Sequence, residues 1–337
     1  MTINSGSLFG AFLNQHDDEK WREVMQTLLP AIHKVDQQAV QIWFYFHPLA
    51  LHRALEQAED SAALAQRLLL KGDYDLKARI DISHTFVYGH RYWAQVKSAV
   101  AQFATANTAP KSLELATQIK DLANEVGKQI GVDASLLIGI TAIALMTLQQ
   151  VGIANFRAAS GEIHISKKMA RKTPEQILEH RAKDEGQGLL GFLRGIRKVF
   201  NVTFNENEED ASFKIINTQH ITTAAAEDKR DYYAKDARCV TGEGAIPIEC
   251  RSGACGTCWV GILGGLENTS EVAGLEYRRM KDFGYIDSEA DKPLIRLACQ
   301  TQVSGPVSIV IPSWNGVFGK FIRQQQDEAS EPSKVNY

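Results

Sequence analysis

The first 238 residues of this 337-residue chain contain no cysteine. Any cofactor in that part must be held by nitrogen or oxygen ligands, or there is none. Signatures of common catalytic sites are missing as well. There is no P-loop, no G-x-S-x-G elbow, no dinucleotide fingerprint after a strand and no H-E-x-x-H helix. Positive charge is not in excess, since the formal net charge is −3, which argues against non-specific nucleic-acid binding. No internal repeat is visible. Met1 to Gln15 lacks a basic stretch leading into a long apolar core, so it reads as a mobile start rather than a signal. Few cysteines and no such signal predict a cytoplasmic protein in a reducing environment.

What is present is ordinary for a soluble globular protein: 44% apolar and 23% charged residues, enough for about two domains with sizeable cores. Charge divides unevenly along the chain. From Lys198 onward there are 15 basic and 20 acidic residues, which leaves the preceding part at +2. An acidic C-terminal part suits docking on a basic face of a partner.

The first half patterns as helices. Asp17 or Asp18 can cap a helix to about Leu29, and Pro30 interrupts it. Further helices are expected over Val35–Phe46, from Pro48 through Leu70 with Gly72 as the stop, over Asp81–Phe103 with a bend near Gly89, and from Pro110 to about Gln129. Asp133 then caps the most apolar run, Ala134 to Leu148, which closes on Gln149 and Gln150. It falls short of the roughly 20 residues a spanning helix needs, so it predicts a core helix buried on all sides. The basic residues after it leave membrane association open but not favoured.

Arg157 to Thr173 reads as an irregular basic linker with a short strand at Glu162–Ile165, followed by a helix from Pro174. Leu189 to Phe200 forms an amphipathic pattern that packs between domains or lies on a membrane. The C-terminal part predicts a hairpin of Val199–Phe204 and Ser212–Ile216, a helix from Thr222 to about Lys235, a strand Trp259–Leu263, and a short helix Leu275–Phe283. Strands at Leu294–Cys299 and Val307–Ile311 follow, and the tail after Arg323 is polar.

Four of the five cysteines carry a chemical pattern. Cys250, Cys255 and Cys258 are spaced C-x4-C-x2-C, and Cys299 follows after forty intervening residues. Two irons bridged by two sulfides need four thiolates, three of which fit one tight loop while the fourth closes the cage. Gly253 and Gly256 suit a loop bent around an inorganic core. Zinc sites more often pair two C-x2-C units or mix in histidine, and disulfides belong to oxidising compartments, so both alternatives fit less well. Cys239 reads as a core or surface thiol.

Residues from about Phe200 to Pro312, with Cys250-Arg-Ser-Gly-Ala-Cys255-Gly-Thr-Cys258 and Leu297-Ala-Cys299-Gln300, resemble the plant-type 2Fe–2S ferredoxin family. The resemblance implies that Cys250 and Cys255 hold the outer iron and that Cys258 and Cys299 hold the inner one. It also implies a low-potential carrier near roughly −400 mV. The gap before Cys299 is longer than the family usually shows, and Trp259 stands where a small residue is common. Around the cluster, Arg251 and Arg296 are candidate charges that raise the potential, and Thr257 and Ser252 are candidate donors to sulfur.

The expected architecture is α+β: an all-α domain over 1–155, a basic linker and connecting helix over 156–198, a ferredoxin-type, β-grasp-like domain over 199–323, and a flexible tail over 324–337. The expected function is one-electron transfer through a 2Fe–2S cluster to a redox partner protein, a reductase or oxidase component, with the helical domain docking or positioning it. Two alternatives stand beside this. In one, the chain is an oxidoreductase whose helical domain holds its own haem or metal near His47, His52, His84 and His90. In the other, it is a redox sensor. The histidine spacings do not form an i, i+3 or i+4 pair, so buried or capping histidines are the default there.

Overall fold

The computed structural model describes residues 8–106, 114–160, 164–182, 198–285 and 292–315. The expectations for the opening stretch before Leu8, the strand at Glu162–Ile165 in part, the amphipathic pattern from Leu189 and the tail after Arg323 lie outside the described residues.

The first described element is α1 (Leu8–Leu13), a helix with Phe9, Phe12 and Leu13 buried where a mobile start through Gln15 was expected, and α2 (Asp18–Leu28), α3 (Lys34–Phe46) and α4 (Leu49–Gln57) follow. Both candidate caps are used, at different helices. Asp17 accepts from the N–H of Lys20 at the start of α2, while Asp18 accepts from the N–H groups of Leu49 and Ala50 at 2.8 and 2.9 Å and so caps α4. The single helix expected from Pro48 to Leu70 is instead two. Asp60 accepts from the N–H of Ala63 and starts α5 (Ser61–Arg67). Gly72 is not a helix stop; it lies in the short strand β1 (Lys71–Gly72).

After α6 (Leu76–Arg79) the chain runs through turns and a 3₁₀ segment, Tyr88–Tyr92, into α7 (Trp93–Thr105). The break near Gly89 has a tertiary cause. The fully buried Asp36 carboxylate takes the N–H groups of Tyr88 and Gly89 at 2.6 and 2.8 Å, which removes them from any helical ladder. Then come α8 (Leu115–Ile130) and α9 (Ser135–Ala158).

The apolar helix α9 is longer than its sequence suggested. Gln149 and Gln150 are inside it and buried. Gln149 accepts from Trp21 Nε1 at 2.7 Å and donates to the carbonyls of Leu13 and His16, and Gln150 donates to the His47 carbonyl. Buried amides whose N–H groups find carbonyl acceptors continue a core helix where exposed ones would end it. The kink falls at Gly152, with φ 76° and ψ 161°. By length and composition alone the 24-residue helix could cross a membrane, but 83% of its most apolar window is covered by the surrounding protein.

Short α10 (Lys167–Ala170), capped by Ser166, and α11 (Pro174–Ala182) follow. Val35, Met169 and Ile177 form one buried cluster, and Arg181 reaches the Val35 carbonyl and pairs with both carboxylate oxygens of Glu206.

Next are β2 (Val199–Thr203), β3 (Ser212–Ile216), β4 (Gln219–His220), α12 (Ile221–Ala225), β5 (Trp259–Gly264), α13 (Gly274–Phe283), β6 (Ile295–Leu297), β7 (Gln302–Val303), β8 (Val307–Val310) and β9 (Trp314–Asn315). The main sheet has the order β3-β2-β8-β5-β6, with β2 and β8 parallel and the other pairs antiparallel. Two small antiparallel pairs, β4–β7 and β1–β9, stand beside it. The fold class is α+β. The helix expected to reach Lys235 stops at Ala225. Beyond it Asp228, Asp231 and Asp236 each accept the backbone N–H two residues on, a local bond that competes with helix.

Packing divides the chain into two compact units that do not follow linear order. One holds residues 1–59, 75–182 and 205–211; the other holds 60–74, 183–204 and 212–337. Residues 60–74, with Leu64, Ala65 and Leu68 buried, therefore belong with the sheet. The turn joining β2 to β3 belongs with the helices. Nothing in the sequence pattern announced either exchange.

Candidate metal centre

Between α12 and β5 the chain wraps into a loop of irregular backbone that carries three of the four patterned cysteines. The wrap depends on left-handed backbone at Arg251 (φ 49°), Gly253 (φ 75°) and Gly256 (φ 70°). Glycine removes the penalty at two of these positions. At Gly256 it is also required by space, because a Cβ there would overlap the ring of Phe283 on α13.

Cys299 comes from the turn after β6. That turn is registered to the loop by backbone: β6 pairs with β5, and the N–H of Ala298 donates to the Cys258 carbonyl at 3.0 Å. The forty-residue gap between Cys258 and Cys299 is thus closed by strand pairing.

The structure brings the four thiols together as two pairs. The N–H of Cys255 donates to Cys250 Sγ at 3.3 Å, and these two thiols are half-buried. Cys258 and Cys299 are buried and hydrogen-bonded to each other. Among the described residues no three Cys, His, Asp or Glu side chains surround a single point as one ion requires. Two thiol pairs suit two irons, each taking two protein sulfurs.

Donors converge on these sulfurs. Burial pushes the Cys250 thiol up, but hydrogen bonds from Ser252 and Cys255 outweigh it and hold it at about 6. Cys299 is held at about 7 by the hydrogen bond from Cys258, against burial, with help from Gln300 and the Gly253 N–H. Gln300 Nε2 lies 3.4 Å from Cys299 Sγ, and the Thr257 hydroxyl lies 3.0 Å from Cys255 Sγ. Thiolate is the form that binds metal. Cys239 stands apart. Its Sγ meets the Ala245 carbonyl, and burial lifts its pKa to about 11, which leaves an inert core thiol.

The two arginines behave differently from each other. Arg251 is exposed and pairs with Glu243. Arg296, expected to act as a charge on the cluster or as a solvated one, is fully buried and neutralised by Glu276. Sequence reasoning missed Glu276, Phe283 and the ion pair between Lys71 and Glu249, the residue before Cys250. Their partners lie from 20 to 178 residues away, so no local signal marked them.

The helical unit places His47, His52, His84 and His90 in buried positions. Burial lowers all four from the ordinary histidine value, His47 to about 3 and His90 to about 4.

Residues 216–304 match the family model of the 2Fe-2S iron-sulfur cluster binding domain, and the match spans Cys250, Cys255, Cys258 and Cys299. The C-terminal part of the chain is therefore a ferredoxin-type domain whose cofactor is a 2Fe–2S cluster, and the N-terminal helices fall outside the match. No solved structure matches the chain.

Proposed function

We propose that this chain is a one-electron carrier in which Cys250 and Cys255 hold the outer iron of the cluster, Cys258 and Cys299 hold the inner one, and the helical unit docks or positions a redox partner. The observation that carries the reading is the pairing of the thiols, one pair half-buried and one buried. When bound, the cluster supplies reversible uptake of a single electron.

The chain's own groups then have definite tasks. The N–H groups of Ser252, Gly253 and Cys255, the Gln300 amide and the Thr257 hydroxyl point at sulfur and favour the more negative, reduced state. Backbone donors are fixed by the loop and need no reorganisation when charge arrives. The half-buried edge at Cys250 and Cys255 is the short route for an electron to leave, while Phe283 and Trp259 close the other side in ring contact at 5.3 Å. The partner is a reductase or oxidase component with a basic docking face, matched to the acidic C-terminal part, and both work in the cytoplasm.

Cys255→Ser tests the ligand set. Loss or strong alteration of the visible and electron paramagnetic resonance spectra is expected in the purified full-length chain. An unchanged spectrum removes Cys255 from the ligands.

A further inference from the structure

Helix α13 lies in the stretch that lengthens the gap between Cys258 and Cys299. It packs on the thiol loop at both of its ends. A Cβ at Gly253 would come within 3.3 Å of Leu275, and one at Gly256 would overlap Phe283. The inner face of the helix is buried through Glu276, Met280 and Phe283. Two features fix it in place. Glu276 closes a bidentate ion pair on Arg296 of β6, with both side chains fully buried. At the other end Gly284, in left-handed backbone with φ 75°, stops the helix and donates its N–H to the Lys281 carbonyl.

The outer face differs in kind. Gly274, Tyr277, Arg278 and Lys281 are exposed, and their spacing puts them on one side of the helix. Tyr277 is 55% exposed, one of the few large apolar side chains that the described residues leave in water. Arg279 is paired with Asp282 on the flank, and Glu276 is turned inward onto Arg296. The charges this face presents to solvent, Arg278 and Lys281, are therefore both positive. They stand out in a C-terminal part that holds 15 basic and 20 acidic residues from Lys198 onward. A buried ion pair is a weak source of stability, since apolar residues of similar size serve as well. Its use here is to hold the outer face in one orientation. Exposed tyrosine and arginine on a rigid support are what protein interfaces favour at their centre.

From this placement we infer that the outer face of α13 is a second docking surface of the carrier, and that it takes an acidic redox protein. The inference rests on the one-electron role proposed above and goes beyond it. A carrier collects an electron from one protein and delivers it to another. A basic partner suits the acidic C-terminal part at large, whereas Arg278 and Lys281 repel it and attract carboxylates. Tyr277 beside them supplies ring surface that a docked protein takes out of water. A protein on this face is separated from the thiol loop by one helix, about 10–12 Å across. Only an electron crosses: the cluster is oxidised as the partner's centre is reduced, or the reverse, and no proton or bond moves. Anionic lipid calls for clusters of roughly four to eight basic residues, so two cations and one ring fit a protein rather than a membrane.

The test uses the full-length chain with its cluster reduced, and two haem proteins as probes: cytochrome b5, which is acidic, and cytochrome c, which is basic. Stopped-flow absorbance gives the second-order rate at which one electron passes from the cluster to each ferric haem. Arg278→Gln combined with Lys281→Gln is expected to slow the reaction with cytochrome b5 at least about 10-fold at about 10 mM salt, and the difference should shrink as salt rises past about 300 mM. The same variant is expected to react with cytochrome c no more slowly than the wild type, with iron, sulfide and midpoint potential unchanged. Tyr277→Ala is expected to slow the cytochrome b5 reaction at least about 5-fold at every salt concentration, and it decides should the double variant lose its cluster. A double variant that keeps its cluster and reduces cytochrome b5 at the wild-type rate overturns the inference. So does equal slowing with both cytochromes, or wild-type chain that reduces cytochrome c but not cytochrome b5. Binding to phosphatidylserine vesicles that disappears in the double variant gives the face to lipid and overturns it too. Wild-type chain that holds its cluster yet passes no electron to either haem removes the carrier role itself, which the other outcomes leave standing.

Discussion

Glu276 and Arg296 form a bidentate ion pair with both side chains at 0% exposure, each of its two N–H···O contacts 2.9 Å long. The same carboxylate accepts the N–H of Leu297 at 2.8 Å, and the guanidinium also reaches Thr269 Oγ1 and the Ser270 carbonyl. Glu276 is on α13, in the stretch that lengthens the gap between the third and fourth cysteines. Arg296 is on β6, three residues before Cys299. The extra helix is thus anchored to the strand that delivers the last thiol.

Removing one partner leaves the other charge buried alone. Glu276→Gln is expected to cost about 3–5 kcal/mol and to speed loss of the cluster. Chemical denaturation read by visible absorbance checks both. Replacing the two residues together by apolar ones, Glu276→Leu with Arg296→Met, is expected to recover much of the stability, since no orphan charge remains.

Gly256 meets the Phe283 ring and has a φ of 70°. Gly256→Ala combines strain with overlap, so it is expected to lower iron occupancy and thermal stability. Gly242, whose φ is also positive but whose Cβ position faces open space, provides the comparison. Gly242→Ala carries strain without overlap and is expected to do less. Equal effects on iron content would point to strain alone.

Thr257 places its hydroxyl 3.0 Å from Cys255 Sγ. A hydrogen bond to sulfur stabilises the reduced state, so Thr257→Val is expected to lower the midpoint potential by about 20–65 mV, the equivalent of one net hydrogen bond. A redox titration followed by paramagnetic resonance measures it, and a rise in potential would contradict the donor role.

Leu68 is buried in the unit that contains the sheet, although its neighbours in sequence beyond Glu59 and Asp75 belong with the helices. Leu68→Ala is expected to cost about 2–5 kcal/mol. The loss should appear in the transition reported by cluster absorbance. If it appears only in the helical circular dichroism signal, residues 60–74 have been assigned to the wrong unit.

Asp36 is held at about 6, raised by burial against the two backbone N–H groups that favour its charge. With a folded value above the unfolded one, the protonated form favours the native state. That contribution is complete below about pH 3.8 and is lost as pH rises through 6, an effect of about 3 kcal/mol. The stability of the wild type relative to Asp36→Asn is therefore expected to decline between pH 4 and pH 6.5, measured by urea unfolding of the helical signal.

Several features were legible from residues alone. The spacing of Cys250, Cys255, Cys258 and Cys299 pointed to a 2Fe–2S domain because three of the four thiols share one loop, and a loop's geometry is local. Helix α3 and the β2–β3 hairpin came through for the same reason: capping, apolar period and turn residues all lie within a few positions of what they control. The misreadings were also systematic. Gln149 and Gln150 looked like a helix end because the partners that bury them lie more than 100 residues away, and Thr222 to Lys235 looked like a helix although aspartates in that stretch take the backbone N–H groups a helix would use.

By itself the sequence determined the chemistry of the ferredoxin-type domain and the helical character of the rest, since thiol spacing and side-chain period act over short distances. Only the tertiary structure decided that residues 60–74 pack with the sheet, that Arg296 is cancelled by Glu276, and that His84 and His90 face each other at 2.6 Å. Those outcomes rest on burial, and burial depends on which distant surfaces meet when the chain closes on itself.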